Sequence, residues 1–246
     1  MYRYFIHLAY NGKNYFGWQR QPKDISVQEV LEKAVSILLK ETINIVGAGR
    51  TDTGVHAKSF YAHFDTTNHL NEQNCLQLAY KLNAFLPKDI VIFSIFQVDK
   101  QQHARFSAIS RTYRYYVSTK KNPFNRDITY TILQPLNLEN MNECCKKLLQ
   151  YHDFTSFSKV HTQTKNNLCT ISFAAWKPLP DGVLCFEITA NRFLRNMVRA
   201  IVGTLLDVGK GKLTIEEFCH IIEQKNRERA GESVPANALF LEEIAY

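Results

Sequence analysis

The chain has 246 residues, 45% of them hydrophobic and 22% charged, a balance that is typical of globular proteins and excludes disordered, collagen-like and fibrous chains. Its 30 Lys and Arg residues outnumber its 23 Asp and Glu residues, and the net charge of +7 favours a polyanionic partner without identifying one. The length allows one large domain or two domains of roughly a hundred residues each.

Six cysteines are spread along the sequence, and none of them forms a C-x-x-C pair or stands at the spacing of a zinc site. This pattern predicts no metal site, and it predicts buried free thiols in a reducing cytoplasm. The N-terminal stretch carries Arg3 and His7 and has no small-residue cleavage site, so we expect no signal peptide. No apolar run approaches membrane-spanning length, so we also expect no membrane partner.

The first hundred residues predict the order strand, helix, strand, strand, helix, strand. Alternating hydrophobicity predicts a first strand at residues 2–10, ended by Asn11-Gly12, a dipeptide that supplies positive φ angles for a tight turn. Ser26 and Glu29 form a capping box before apolar residues at helical spacing, which predicts a helix at residues 26–40. The other predicted elements are strands at residues 43–46, 60–64 and 90–98 and a helix at residues 71–85.

The remainder of the chain repeats this order with longer connections. Strands are predicted at residues 112–117, 168–177, 182–190 and 239–244, and helices at residues 138–149, at residues 193–208 and after the capping box of Thr214 and Glu217. The predicted fold class is therefore α+β, with two ferredoxin-like βαββαβ halves. We assign residues 1–105 to the N-terminal half and residues 106–246 to the C-terminal half, and we expect a central cleft where they meet.

The densest cluster of special residues lies between two predicted strands, at residues 47–57, and holds three glycines together with Arg50, Asp52 and His56. One interpretation is a hairpin connection in which Asp52 binds nearby backbone amides. Another is a carboxylate on a rigid loop, where Arg50 favours the ionised form that a nucleophile or general base requires. The glycine spacing does not fit a G-x-G-x-x-G nucleotide loop. The residues alone leave the first two interpretations open.

Two further segments combine cations with apolar or aromatic residues. Arg192, Arg195 and Arg199 recur at three- and four-residue steps where the helix predicted at about residues 193–208 opens. There they form either a solvated face or a basic edge that reaches a phosphate or carboxylate. Arg105-Phe106 and residues 111–116 interleave cations with aromatic residues. This pattern indicates either a strand with one buried face or a stacking platform for an exposed base.

The segment Arg50-Thr-Asp52-Thr-Gly54-Val-His56 resembles the R-T-D-x-G-V-H signature of the TruA-type tRNA pseudouridine synthases, which isomerise uridine in the anticodon arm of tRNA. Other segments agree with the same family in the same order, so the resemblance spans almost the whole chain. They are Tyr10-Asn-Gly12, Tyr15-Phe-Gly17-Trp18-Gln19-Arg-Gln21, His103-Ala-Arg105-Phe106-Ser107-Ala108, Tyr113-Arg114-Tyr115, Asp153-Phe154-Thr-Ser156-Phe157, Phe193-Leu-Arg-Asn-Met197-Val-Arg199-Ala-Ile-Val-Gly203 and Pro235-Ala236.

The resemblance implies that Asp52 is the catalytic aspartate and that Tyr113 lies against the target uracil. It implies that Arg199 is the basic partner of Asp52 and that Arg50 displaces or holds the flipped nucleotide. It also implies two ferredoxin-like halves that share a continuous, mainly antiparallel sheet with helices on one face, a homodimer, and a reaction without metal or cofactor. The expected substrate is the anticodon stem-loop of tRNA, at uridines 38, 39 and 40.

Two other functions are alternatives to this one. A non-catalytic RNA-binding protein with tandem RNA-recognition motifs would also have two βαββαβ halves, but that function leaves Arg50, Asp52 and Gly54 unexplained. A pseudouridine synthase of the same class that acts at other RNA positions would carry the same residues. Only the positions of the modified uridines separate it from the first function.

Overall fold

The computed structural model describes residues 1–159 and 166–246, and within these ranges it contains nine β-strands and five α-helices. The strands pair mainly antiparallel, which gives an α+β protein as predicted. The chain divides into two compact units, which we call the first unit (residues 1–109 and 241–246) and the second unit (residues 110–240). The short C-terminal segment therefore belongs to the first unit, although it follows the second unit in sequence.

The longest helix of the described chain has 14 residues, and no helix there is both long and apolar enough to cross a membrane. The elements in chain order are β1 (Tyr2–Tyr10), α1 (Val27–Leu39), β2 (Ile45–Gly47), β3 (His56–Thr66), α2 (Glu72–Phe85), β4 (Ile90–Val98), β5 (Ser110–Ser118), β6 (Tyr130–Thr131), α3 (Leu138–Leu148), β7 (Ile171–Leu179), β8 (Val183–Ala190), α4 (Met197–Gly209), α5 (Ile215–Glu223) and β9 (Leu239–Ala245).

The first unit has the element order predicted for the first hundred residues. The strands predicted at residues 2–10 and 90–98 are confirmed with the same bounds, and β3 is longer than predicted. Ser26 and Asn71 cap α1 and α2 by accepting hydrogen bonds from backbone N–H groups three residues ahead. β1 pairs antiparallel with β3 and β4, and β2 pairs antiparallel with β3. The strand order is β4-β1-β3, with β9 on the other side of β3.

One face of this sheet is apolar and forms the core with α1 and α2. Leu8 of β1 lies opposite Phe60 of β3, and both side chains are fully buried. Tyr4 lies on the same face, and its hydroxyl accepts a hydrogen bond of 2.8 Å from the backbone N–H of Leu70, just before α2. The two helices bury Leu31, Ala34, Val35, Cys75, Leu78 and Leu82 on this side.

The opposite face of the same sheet carries histidine and aromatic side chains. His7 stacks on Tyr61 with ring centroids 4.4 Å apart. His63 is only 3% exposed, and its Nδ1 accepts a hydrogen bond of 3.1 Å from the backbone N–H of Ala104. Burial lowers the pKa of His63 to about 4, so this imidazole is neutral at physiological pH.

The second unit is built around β8, which pairs antiparallel with both β5 and β7 and gives the strand order β5-β8-β7. β6 pairs parallel with the end of β5. The sheet buries Tyr115, Trp176 and Phe186, and α4 buries most of its length. The predicted capping box of Thr214 and Glu217 is confirmed at the start of α5, with reciprocal hydrogen bonds of 3.1 and 2.8 Å.

The start of α4 differs from the prediction. The helix was expected from residue 193, but it begins at Met197 because Asn196 has a left-handed backbone conformation with φ of 67°. The side-chain amide of Asn196 donates a hydrogen bond to Ser233, which holds this conformation. Arg192 and Arg195 therefore precede the helix, and the prediction that they share a helical edge with Arg199 is wrong.

We expect His63 to make stability depend on pH. Its folded-state pKa of about 4 lies below the value near 6.5 of an unfolded chain, so below pH 6.5 the unfolded state binds the extra proton. The contribution of neutral His63 to the free energy of unfolding is therefore fully present above pH 6.5. It falls by about 2 to 3 kcal/mol as the pH is lowered from 6.5 to 4.

Urea unfolding of the wild type and of His63→Gln between pH 7 and pH 4.5 measures this contribution. Glutamine offers an oxygen acceptor to Ala104 but does not titrate, so the variant should lose less stability than the wild type on acidification. Parallel losses in the two proteins would show that His63 does not carry the effect.

Candidate active-site loop and its support

The loop that carries Arg50 and Asp52 lies in the first unit, between β2 and β3. Arg50 is exposed and Asp52 is half-buried. The loop leaves the sheet after Ala48, whose backbone N–H donates a hydrogen bond of 2.8 Å to the carbonyl of Tyr61. A turn follows Asp52, closed by a hydrogen bond of 3.1 Å from Val55 N–H to the Asp52 carbonyl, with Gly54 at φ of 80°. Asp52 thus stands at a tight turn and is only partly buried.

Two glycines from the segment after β1 lie directly against this loop. A Cβ atom on Gly17 would overlap the carbonyl oxygen of Thr51, and Gly17 also has φ of 84°. A Cβ atom on Gly12 would overlap the carbonyl oxygen of Val55. The backbone on both sides of Asp52 therefore packs against backbone that only glycine allows. The turn predicted after β1 is confirmed, because Tyr15 N–H donates a hydrogen bond of 3.0 Å to the carbonyl of Gly12. The positive φ predicted for Asn11-Gly12 is wrong, and close approach is the reason for glycine at residue 12.

Backbone hydrogen bonds fix the same contact. Trp18 N–H donates to the carbonyl of Thr51 at 3.4 Å, and Gly54 N–H donates to the carbonyl of Tyr15 at 3.3 Å. These two bonds lie on either side of Asp52. They join the loop to residues 15–18 and restrict where the carboxylate can move.

A buried aromatic cluster supports the loop from below. The ring centroids of Trp18 and Phe60 are 4.1 Å apart, and Tyr10 lies against both rings. The Tyr10 hydroxyl forms a hydrogen bond of 2.9 Å with Thr51 Oγ1. A Cβ atom on Gly47 would overlap the Trp18 indole, so the strand before the loop also packs closely on the cluster. Gly17 and Trp18, which provide this support, belong to the Tyr15-Phe-Gly17-Trp18 segment that resembles the family.

His56 follows the loop and has a structural role. It is 3% exposed, and its Nδ1 accepts a hydrogen bond of 3.1 Å from the backbone N–H of Gly12. This bond requires an unprotonated Nδ1. The His56 ring therefore ties the beginning of β3 to Gly12, the glycine that packs beside the Asp52 loop. Because His56 has this structural role, Asp52 is the candidate nucleophile or base of the loop.

Tyr113 lies in the second unit, on β5 opposite Ile188 of β8, and is half-buried. The ring of Phe193 meets it edge to face, with centroids 5.2 Å apart and an interplanar angle of 90°. This contact orients the Tyr113 ring. The sequence predicts Phe193 in a helix, but the structure places it before α4. From that position its ring reaches Tyr113 on β5.

Arg199 lies in the first turn of α4, also in the second unit. Its Nε donates a hydrogen bond of 2.7 Å to the carbonyl of Val234, and Val234 N–H donates to the carbonyl of Arg199 at 3.3 Å. The hydroxyl of Tyr115 donates to the next carbonyl, that of Pro235, at 2.9 Å. Burial raises the pKa of Tyr115, and the nearby charge of Arg199 opposes this effect. Residues 234 and 235 therefore tie α4 to β5, two residues from Tyr113.

The segment before Val234 is itself fixed on α4. A Cβ atom on Gly203 would overlap the carbonyl oxygen of Glu232, so this position of α4 cannot carry a side chain. Gly231 N–H donates a hydrogen bond of 2.9 Å to Thr204 Oγ1. Arg227 donates to the Gly231 carbonyl at 3.2 Å and to Ser233 Oγ at 2.9 Å. No local sequence pattern marks this support, because its contacts join residues that are far apart in the chain.

Asp52 and Arg50 thus share one rigid loop of the first unit, and Tyr113 and Arg199 lie on neighbouring, tied elements of the second unit. A carboxylate suits nucleophilic or base chemistry, a tyrosine ring suits stacking on a planar base, and arginines suit phosphate or carboxylate groups. Within residues 1–159 and 166–246, no three His, Cys, Asp or Glu side chains are grouped so that they could hold a metal ion.

Known proteins resemble this chain over nearly its whole length. Residues 7–107 and 144–246 match the family model described as tRNA pseudouridine synthase. The tRNA pseudouridine synthase A proteins of Parabacteroides distasonis and Bacteroides thetaiotaomicron are 54% and 53% identical to it, over 100% of this chain and 96% and 91% of theirs. The protein of that name from Bacillus subtilis is 41% identical over 97% of both chains.

A solved structure, 3-hydroxy-3-methylglutaryl-coenzyme A reductase of Streptococcus pneumoniae, aligns over 93% of this chain and 69% of its own. The TM-score is 0.22 and the identity 9%, which is too low to assign a fold.

The close approach at Gly17 predicts that Gly17→Ala lowers the free energy of unfolding by about 2 to 4 kcal/mol, through positive φ and overlap with Thr51. Gly49→Ala is the matched control in the Asp52 loop, because its Cβ would meet no described atom within 4 Å. Urea unfolding of both variants checks this. Equal destabilisation by the two alanines would contradict the packing argument.

Proposed function

Because this chain belongs to the tRNA pseudouridine synthase family, we propose that it is an isomerase that converts uridine to pseudouridine in the anticodon stem-loop of tRNA, at positions 38, 39 and 40, with Asp52 as its catalytic carboxylate. The observation that carries the proposal is the family match over residues 7–107, which include the whole Asp52 loop. Identity of 54% to a relative over the full chain supports the same activity.

The reaction explains which groups the site needs. The bond between C1′ and N1 breaks, the uracil turns, and C1′ joins C5, while the proton on C5 leaves and N1 gains one. The proton lost and the proton gained balance, so the product is an isomer of the uridine and nothing is oxidised. A carboxylate beside the nucleotide can trap C1′, deprotonate C2′ or add to the uracil ring, and all three routes need it at a fixed position.

The support beneath the Asp52 loop fits that requirement. The contacts of Gly12 and Gly17 hold the backbone on either side of the carboxylate, and the Trp18 cluster restricts the loop from below. Arg50 is exposed two residues from Asp52, where it can bind the flipped nucleotide or the phosphate beside it. A loop of this kind keeps the carboxylate oriented while the RNA binds and leaves.

Tyr113 and Arg199 are the proposed substrate-binding residues of the second unit. Flipping a uridine out of its stack costs a few kcal/mol, and stacking on the Tyr113 ring recovers roughly 1 to 3 kcal/mol. The edge contact from Phe193 fixes that ring before the RNA arrives. Arg199 adds a cation that is oriented by its bond to Val234. The net charge of +7 suits a partner rich in phosphate.

We further propose two ferredoxin-like halves, a homodimer and a cytoplasmic location. The strand order β4-β1-β3, with β2 paired to β3, is what a ferredoxin-like half requires, and β5-β8-β7 repeats the arrangement of β1, β3 and β2. The homodimer rests on the resemblance alone. All six cysteines are free, as is usual for proteins of the reducing cytoplasm.

Replacement of Asp52 tests the proposed chemistry. Pseudouridine is mapped position by position on unmodified tRNA transcripts incubated with the wild type, with Asp52→Ala or with the near-isosteric Asp52→Asn. We expect both variants to bind tRNA but to form pseudouridine at least about a thousandfold more slowly. A wild type that binds tRNA without forming pseudouridine would favour the non-catalytic RNA-binding function, and products at other positions would change the assigned substrate.

Replacement of Tyr113 separates stacking from proton transfer. Tyr113→Phe keeps the ring, so we expect tRNA affinity within about twofold of wild type, whereas Tyr113→Ala should bind roughly 5- to 100-fold more weakly. If the hydroxyl relays the C5 proton, Tyr113→Phe should turn over about a hundredfold more slowly. Filter binding and single-turnover kinetics measure the two effects. Full turnover by Tyr113→Phe would remove the proton relay and leave stacking intact.

A further inference from the structure

The segment His103-Ala104-Arg105-Phe106-Ser107 follows β4 in the first unit, and the proposed function gives it no role. We call it the 103–107 loop. It is closed by a hydrogen bond of 2.9 Å from Ser107 N–H to the His103 carbonyl and another of 2.9 Å from His103 N–H to Ser107 Oγ. His103 Nδ1 accepts hydrogen bonds from the N–H groups of Arg105 and Phe106 at 3.1 and 3.3 Å. This backbone is therefore fixed by its own bonds.

The 103–107 loop is also anchored on the sheet face opposite α1 and α2. Ala104 is fully buried, its N–H donates to His63 Nδ1 at 3.1 Å, and its carbonyl accepts from the Tyr246 hydroxyl at 2.6 Å. Just before the loop, Arg3 donates to the carbonyls of Lys100 and Gln102 at 2.9 and 3.0 Å. Strands β1, β3 and the C-terminal residue thus hold the loop in place.

The anchored loop displays an aromatic ring to solvent. Phe106 is 76% exposed, although apolar rings of that size are mostly buried in folded proteins. Its ring lies 4.4 Å from the His103 ring, and the Arg105 guanidinium lies 5.5 Å from its centroid. The hydrogen bonds of the loop hold the backbone that carries Phe106 and so restrict where its ring can lie. A rigid exposed ring with an adjoining cation is the arrangement on which bases of single-stranded RNA stack.

We propose that the 103–107 loop is a second RNA contact, in which Phe106 stacks on an unpaired base and Arg105 binds a neighbouring phosphate. The proposal rests on the proposed function, since it assigns the RNA substrate to this face. The cation beside the ring favours RNA over a second copy of the chain, because the loop itself contains no carboxylate that could pair with Arg105 of another copy, whereas RNA presents a phosphate at every nucleotide.

The proposed RNA contact at Phe106 lies away from the proposed site of the reaction at Asp52. His63, which anchors the loop, lies seven residues along β3 from His56, where the Asp52 loop ends, and at roughly 3.3 Å per residue this separates them by about 23 Å. Phe106 would therefore hold a nucleotide away from the target uridine. Its loss should weaken binding of the substrate and leave the chemical step nearly unchanged.

The test compares Phe106→Ala with Tyr80→Ala, a matched control on the solvent side of α2 with an equally exposed ring of 77%. Binding of unmodified tRNA transcripts is measured in the Asp52→Asn background, and turnover in the wild-type background. We expect Phe106→Ala to raise Kd and KM by roughly 5- to 100-fold with kcat within about threefold, and Tyr80→Ala to change neither. Phe106→Trp should bind as the wild type does, and Phe106→Leu should not.

Arg105→Gln tests the phosphate contact, and it should reduce the slope of log Kd against log salt by about one ion. Unchanged affinity in Phe106→Ala, or equal weakening by Tyr80→Ala, overturns the proposal. A change of oligomeric state in Phe106→Ala by sedimentation equilibrium also overturns it, in favour of a surface between copies. If the wild type forms no pseudouridine but Phe106→Ala still weakens tRNA binding, the RNA contact stands and the proposed function fails.

Discussion

Backbone packed against backbone is the constraint on which the candidate site depends. Gly12 and Gly17 bring the chain after β1 into direct contact with the carbonyl groups of Val55 and Thr51, on either side of Asp52. No side chain can occupy these positions without displacing the loop. The buried Trp18 then fills the space beneath it. Loops are normally mobile, and these contacts restrict the backbone on either side of Asp52.

The second unit also has a glycine that lets backbone pack closely, in this case on the surface of α4. Gly203 lets the chain before Val234 lie on the surface of α4, and the carbonyls of Val234 and Pro235 then accept hydrogen bonds from Arg199 and Tyr115. An arginine on a solvated helix would sample many rotamers. Here its Nε has a fixed acceptor, so the direction of the guanidinium is set by a segment thirty-five residues further along the chain. In both units the backbone around the candidate site residues therefore depends on close approaches that only glycine allows.

Three histidines of the first unit share a structural role. Each of His56, His63 and His103 uses Nδ1 to accept a backbone N–H, at Gly12, Ala104 and the 103–107 loop respectively. Burial lowers the pKa of His63 and His103, which keeps these two rings neutral and able to accept. Imidazoles often act in acid–base catalysis, but here each Nδ1 is occupied by a backbone N–H, which gives these three rings a structural role in the first unit.

The sequence by itself determined the elements and the site motif. Caps at Ser26 and Thr214 and the alternation in β1 act over a few residues, so they are readable locally. The resemblance of the R-T-D-x-G-V-H segment to the family made Asp52 the candidate carboxylate. Only the tertiary structure decided where α4 begins and why residue 12 is glycine. Asn196 is held by a bond to Ser233 and Gly12 by contact with Val55. Such contacts join residues far apart in sequence, and no local periodicity encodes them.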